Sequence, residues 1–264
     1  VGVDWAKIGQ TKPITALRHE LTHWMEHQIV TSGALPAWFD EGNARVEEFT
    51  LAGSLYRAMQ NKYGAASMAQ NNLLPTLGQM TGLFEWNARP SPLGYYQYFA
   101  ASQAVLFLRQ DIGMAGELRM FDLLAQGQSF DAAYATVSGQ PFANFANAYS
   151  ARVRALAPGY PGIATAPDTV EGGGLTMIVY GLPPNAPFTM TVSGGSPGPH
   201  VADQYGVYAS YLGSTWPPGA YTISVSWSGG TITTSAVKTS SVSDSSIDAG
   251  ETGPLELLDL PLVY

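Results

Sequence analysis

The 264-residue chain is predicted to be a multidomain α + β protein, with a mainly helical unit followed by an all-β sandwich. Three observations lead there. Charge divides the chain near residue 160: residues 1–160 carry eleven basic and twelve acidic side chains, whereas 161–264 carry only Lys238 against eight acids. The hydrophobic period changes at the same place, from helical spacing among Ala, Leu, Met and Gln to short alternating runs among Gly, Pro, Ser, Thr and Val. Between the halves lies Ala157-Pro158-Gly159-Tyr160-Pro161-Gly162, a run of residues that break regular structure. The predicted organisation is therefore a helical domain at 1–157, a linker at 158–166, a sandwich at 167–239, and an acidic tether with an apolar tail at 240–264.

Each element has its own signal. Thr11 can cap a helix with Pro13 in its first turn, and Ser32-Gly33 ends it. Leu17, Leu21 and Trp24 share one face of that helix, the face expected to pack. Pro36 opens a second helix through Trp38, Ala44 and Val46 towards Leu55. A third covers Tyr95 to Gln110, and two more cover 115–126 and 141–156. Asn71 to Leu93, with Pro75, Pro90 and Pro92, reads as loop. In the second half, Leu175–Tyr180, Phe188–Val192, Gly206–Tyr211, Tyr221–Trp227 and Thr231–Val237 read as strands separated by Gly/Pro turns. Tyr205, Tyr208, Tyr211, Trp216, Tyr221 and Trp227 are expected mainly in the core of this sandwich.

Composition removes several function classes. The net charge is −8, and such a surface repels nucleic-acid phosphates. The chain has no cysteine, which excludes disulfides, thiolate metal sites and cysteine nucleophiles. No apolar run reaches the ~18–20 residues of a membrane span. The first residue is Val1 rather than Met, so a processed or trimmed product is expected, its absent part able to hold an export signal.

The chemistry concentrates in His19-Glu20-Leu21-Thr22-His23. Residues i and i+4 of a helix lie about 40° apart around the axis and about 6 Å along it, so both imidazoles can reach one metal ion. Glu20 lies beside them without competing as a ligand, placed to take a proton from water. Such a site needs a third protein ligand. Leu35-Pro36-Ala37-Trp38-Phe39-Asp40-Glu41-Gly42-Asn43-Ala44 supplies Glu41 at the start of the next helix. Asp40, its neighbour, is expected to point elsewhere. His27 lies about 12 Å along the helix from His19, too far to share its metal, and is expected to support the ligands from behind or to partner Glu48 or a backbone carbonyl. His200 is taken as a surface residue.

These segments resemble the gluzincin metallopeptidases, and more closely the bacterial peptidase-MA-like group, with its H-E-L-x-H followed by L-P-x-W-L-x-E-G-x-A. The resemblance covers roughly 15–155 and continues through Tyr98, Gly113 and Leu123 to Ala133. It implies a gluzincin fold for the helical domain, Zn2+ held by His19, His23 and Glu41, Glu20 as general base, and Tyr98 as donor to the oxyanion of peptide hydrolysis. The sandwich is expected to be immunoglobulin-like. Where the group carries an acid four residues after its glutamate ligand, this chain has Arg45, leaving Glu47 or Glu48 to replace it. Gluzincins also place a substrate-binding β-sheet before the motif. Only eighteen residues precede His19, so that shelf is expected to be missing, to lie in a removed segment, or to come from a neighbour.

The expected function is thus a secreted or cell-surface zinc metallopeptidase of bacterial type, acting on peptide or protein substrates. The alternative is an assembly or surface-layer subunit that keeps the peptidase fold. In that reading the sandwich and the tail Leu255 to Tyr264 mediate self-assembly or surface attachment, the tail as a donor strand.

Overall fold

A computed structural model describes residues 13–31, 35–50, 55–168, 174–213 and 216–238. The cap at Thr11, the stop at Ser32-Gly33, and the tether and tail at 240–264 lie outside the described residues. The chain is a mixed α + β protein. Its helices are α1 (Pro13–Ile29), α2 (Ala37–Thr50), α3 (Leu55–Gln70), α4 (Leu83–Asn87), α5 (Leu93–Ala125), α6 (Phe130–Ser138) and α7 (Phe142–Ala155). Its strands are β1 (Gly162–Asp168), β2 (Gly174–Tyr180), β3 (Pro187–Val192), β4 (Gly198–Val201), β5 (Tyr208–Leu212), β6 (Gly219–Trp227) and β7 (Gly230–Lys238).

The second helix sits at the centre of the helical unit, packed against both α1 and α5. Its apolar residues point several ways for that reason. Trp38 and Phe39 are almost fully buried in an aromatic cluster with Phe130, Phe142 and Phe145. The Ala37 amide donates to the Thr81 carbonyl at 2.9 Å, tying the start of α2 to the segment read as loop. That segment contains a 3-10 turn at Leu77–Met80, closed by a Thr76/Gln79 capping box, and the short α4. The two helices expected on either side of Gly113 are continuous in α5 except at that residue. There φ is +69°, a conformation glycine adopts without the steric cost of a Cβ.

Two antiparallel sheets follow, ordered β1-β2-β5 and β4-β3-β6-β7. Leu175, Met177 and Val179 of β2 and Leu212 of β5 meet Phe188, Met190, Val192, Ile223 and Val225 of the other sheet in one core. Edge positions account for the two strands the sequence reading missed. Residues 162–166, expected as linker, belong to β1, which pairs with β2 from Gly162↔Tyr180 to Asp168↔Gly174. Strand β4 reads Gly-Pro-His-Val, and a proline is tolerated there because an edge strand leaves one side unpaired.

The helical and β units are not separated by a free joint. Strand β2 is buried along its whole length: its odd-numbered residues enter the sandwich core, Ile178 joins the helical core, and Tyr180 stacks on Tyr63 of α3 at 4.5 Å. Polar contacts reinforce the seam. Ser67 Oγ and Asn71 Nδ2 both donate to the Tyr205 carbonyl, at 2.5 and 3.0 Å, and the Tyr96 hydroxyl donates to Asp203. Tyr205 and Tyr221 are buried, Tyr208, Trp216 and Trp227 partly so, while Tyr211 is exposed. His200 is partly buried, its ring 5.4 Å from that of Phe188 and 4.7 Å from that of Tyr208, rather than free at the surface.

Candidate metal centre

Helices α1 and α2 bring three donor atoms together. His19 Nε2 and His23 Nε2 lie 3.1 Å apart, and Glu41 Oε2 lies 3.3 Å from the first and 3.4 Å from the second. A tetrahedral ion with bonds of about 2.0–2.1 Å has ligand–ligand edges of about 3.3–3.4 Å, so the triangle is the size such an ion requires. Glu41 Oε2 is buried and has no hydrogen-bond donor, and the two imidazole nitrogens face each other across the same space. A cation at the centre would satisfy all three atoms. The donor set, two imidazoles and one carboxylate, suits Zn2+.

The outer nitrogens of both rings face acids on α2. His23 Nδ1 is 2.7 Å from Asp40 Oδ1, which draws the ring proton to Nδ1 and leaves Nε2 to face Glu41. His19 Nδ1 is 3.8 Å from Glu48 Oε2. Asp40 therefore does not point elsewhere; it reaches α1. His27 does not reach Glu48 but sits 3.1 Å from the other Asp40 oxygen. The pairs run in opposite order along the two helices, from His19 with Glu48 to His27 with Asp40. That antiparallel crossing is why one short carboxylate serves two histidines a turn apart.

Arg45 stands where an acid was expected, and it recruits one. Its Nη1 donates to Glu48 Oε2 at 2.5 Å, its Nε to Asn61 Oδ1 at 3.2 Å, and Arg57 holds the second Glu48 oxygen at 3.1 Å. Glu48 thus takes the place opposite His19, while Glu47 turns to Arg109 at 3.0 Å.

The electrostatics follow from this crowding. Burial works against charge on His23, yet Asp40 and Glu41 outweigh it and raise the imidazole to about 10; against its own burial, His19 is also raised above its ordinary value, by Glu41 and Glu48. Burial also opposes ionisation of the acids, but His23 holds Asp40 down to about 2, and His19 and Arg45 hold Glu48 to about 2. Glu41 is lowered by the two histidines. The acids around the two rings thus favour positive charge at this centre.

An open cleft of about 230 Å³ adjoins the triad, lined by Ala16, His19, Glu20, Arg45, Glu48, Tyr95 and Tyr98. Glu20 lies at the cleft and outside the ligand triangle. The Tyr98 ring centre is 6.2 Å from that of His19 and is braced edge-on by Trp86 at 5.0 Å. Burial and the Glu41 charge raise its phenol, which keeps it a hydrogen-bond donor.

Glycine is required beside Glu41. A Cβ on Gly42 would stand 2.7 Å from the Ala101 carbonyl oxygen and 2.8 Å from Val105 Cγ2, so α2 and α5 touch at backbone distance. Gly42→Ala is expected to cost about 1–3 kcal/mol, the range for overpacking, and to weaken metal binding by moving Glu41. Chemical denaturation with a chelator-competition titration reads both effects.

The other face of α1 differs from expectation. Leu17, Leu21, Trp24, Met25 and Ile29 are 41–59% exposed, so the stripe opposite the histidines is not packed as its spacing suggested. Comparison with protein-family models, with curated proteins and with solved structures gives no match for this chain.

Proposed function

We propose that the chain is a zinc-dependent metallopeptidase of gluzincin type, carried by the helical unit and joined to an immunoglobulin-like sandwich. The observation that supports it most is the triangle of His19, His23 and Glu41, with Glu20 in the adjoining cleft. Bound there, zinc supplies Lewis acidity, polarising a carbonyl and acidifying a water. The side chains do the rest. Glu20 accepts the proton of the attacking water and returns it to the leaving amine. Tyr98 donates to the oxygen on which charge develops. Asp40 and Glu48 hold the ligand rings in orientation. Peptide or protein substrates and a secreted or cell-surface location belong to the same proposal. Among the described residues, no helix is long and apolar enough to cross a membrane.

Elemental analysis tests this directly. One zinc per chain is expected, absent in His23→Ala, together with cleavage of a peptide library by the wild type alone. A folded, metal-free wild-type protein would overturn it. The exposed stripe Leu17-Leu21-Trp24-Met25-Ile29 favours a second reading, an assembly subunit that keeps the fold. A metal-free protein whose size rises with concentration would support that reading instead.

Zinc affinity should also depend on pH with a definite sign. The folded-state pKa of His23 is raised from 6.5 to about 10, so without metal its stabilising charge is fully present below pH 6.5 and lost as pH rises through 10. Zinc requires the neutral ring. Binding must therefore expel protons, and apparent affinity is expected to rise about tenfold per pH unit for each proton displaced. Competition titrations at pH 6.5 and 7.5 would show the rise; equal affinities would contradict it.

A further inference from the structure

Arg45 does more than hold Glu48. It supplies a guanidinium to the wall of the cleft beside the metal centre, next to His19, Glu20 and Tyr98. The residue is 8% exposed, and its plane is fixed on several sides. Nε donates to Asn61 Oδ1 and Nη1 to Glu48 Oε2, while the guanidinium carbon lies 5.9 and 5.8 Å from the ring centres of Tyr95 and Phe99. Asn61 is itself fully buried and tied down. Its amide donates to the Arg57 carbonyl at 2.6 Å, and its Oδ1 accepts from Ser102 Oγ at 3.3 Å. The remaining nitrogen, Nη2, has no acceptor among the described residues and is not sealed away from water. Two N–H donors on a rigid, weakly hydrated fork therefore stand open in the cleft. The neighbouring acids do not occupy them. Each Glu48 oxygen is held by a different guanidinium, Oε2 by Arg45 and Oε1 by Arg57, so one negative charge is divided between two cations. Glu20 lines the same cleft from α1, and the hydrogen bonds of Arg45 do not run to it. Holding Glu48 requires one donor; the open Nη2 is not needed for it.

We propose that Arg45 is a specificity-determining residue, its Nη2 receiving a carboxylate of the peptide that lies in the cleft. Carboxylates are the anions an ordinary peptide carries, and a guanidinium–carboxylate pair shielded from water is among the strongest hydrogen-bonded contacts. The group comes either from the peptide C-terminus or from an Asp or Glu side chain near the scissile bond, and both make the same contact. The first source makes the enzyme one that releases C-terminal residues; the second makes it one that cuts beside acidic residues. That substrate class rests on the metallopeptidase reading, whereas the contact between Arg45 and a carboxylate does not.

Isothermal titration of the whole chain, kept metal-free with chelator, tests the contact without turnover and without carboxylates binding to zinc. Three probes are compared: an N-acetylated tetra-alanine peptide with a free C-terminal carboxylate, the same peptide as its C-terminal amide, and that amide with one alanine at a time replaced by glutamate. A carboxylate peptide should bind roughly 10–100-fold more tightly than the neutral amide, the contribution of a hydrogen bond to a charged group. Which peptide does so identifies the source of the carboxylate. The preference should fall below about threefold in Arg45→Gln and be intermediate in Arg45→Lys, which keeps a charge for Glu48 but lacks the planar fork. A merely structural role would not move this ratio, because disturbing Glu48 and His19 weakens all the peptides alike. Equal binding of the three probes by wild type, or a wild-type preference retained in Arg45→Gln, would overturn the proposal. If Arg45→Gln does not fold, Arg45→Lys decides, and an unchanged preference there would overturn it as well. Zinc content is read on the same wild-type preparation before the chelator is added. Its absence would refute the metallopeptidase reading, while the peptide ratios still decide the role of Arg45.

Discussion

Replacing Glu20 by glutamine is expected to leave one zinc per chain and to lower kcat by roughly 10²–10⁴-fold, the contribution of a positioned general base. The two side chains have nearly the same shape, so the cleft lined by Ala16, His19, Tyr95 and Tyr98 keeps its walls. What is lost is the capacity to take a proton. Glu20 stands outside the triangle of His19, His23 and Glu41, so the metal keeps its ligands. The signature is a fall in kcat with KM nearly unchanged, since substrate binding does not need the carboxylate. His23→Ala must behave differently, losing metal and turnover together. Measured side by side, the two variants separate the ion from the base. Wild-type turnover in Glu20→Gln would remove Glu20 from the mechanism.

The spacing of His19 and His23 was enough to put both imidazoles on one side of α1, because a helix period fixes where i and i+4 fall, while Glu41 meets them only through the packing of α2 on α1. Their outer partners were harder to see. Which acid faces which histidine depends on how α1 crosses α2, and no local pattern encodes that crossing. Asp40 looked misdirected on its own helix, yet it meets His23 and His27 because the helices run antiparallel. A signal was present all the same: His23 and His27 are spaced four apart, as His19 and His23 are, so a second acid near Glu41 had a pair to serve. Arg45 concealed the role of Glu48 for a similar reason, since a buried cation three residues earlier on α2 fixes Glu48 in place.

Among the elements, those with bulky periodic residues were legible and those built on alanine were not. Helix α3 buries Ala65, Ala66, Met68 and Ala69, small side chains that let it approach α5 and α7 but carry little hydrophobic signal. Helix α6 follows Ser129, whose hydroxyl caps it, yet its nine residues are too few to show a period. Strand β1 hid in the Gly/Pro joint. Its Ala-Thr-Ala run is only partly buried, so the alternation that marks a strand is weak there.

That misplaced joint carries the second large prediction. A linker over 158–166 implies two domains that unfold independently. The structure instead makes β2 a shared wall, with Met177 and Val179 facing the other sheet and Ile178, fully buried, facing the helices. Ile178→Asp would place a carboxylate with no partner in that seam, at a cost of about 4 kcal/mol or more. The damage should not stay in the β unit. Helical signal and β-sheet signal are expected to melt together in the wild type, and both midpoints should fall in Ile178→Asp. Val201→Asp is the control, because Val201 is 59% exposed on the edge strand β4 and its replacement should shift stability by no more than about 0.5 kcal/mol. Zinc should resist the loss in proportion to its affinity, since an ion that binds only the folded centre stabilises it by mass action. A helical transition that keeps its wild-type midpoint in Ile178→Asp would mean that α3 and the ligand helices stand without β2. The seam of Ser67, Asn71 and Tyr96 would then hold two independent domains side by side, rather than complete one fold.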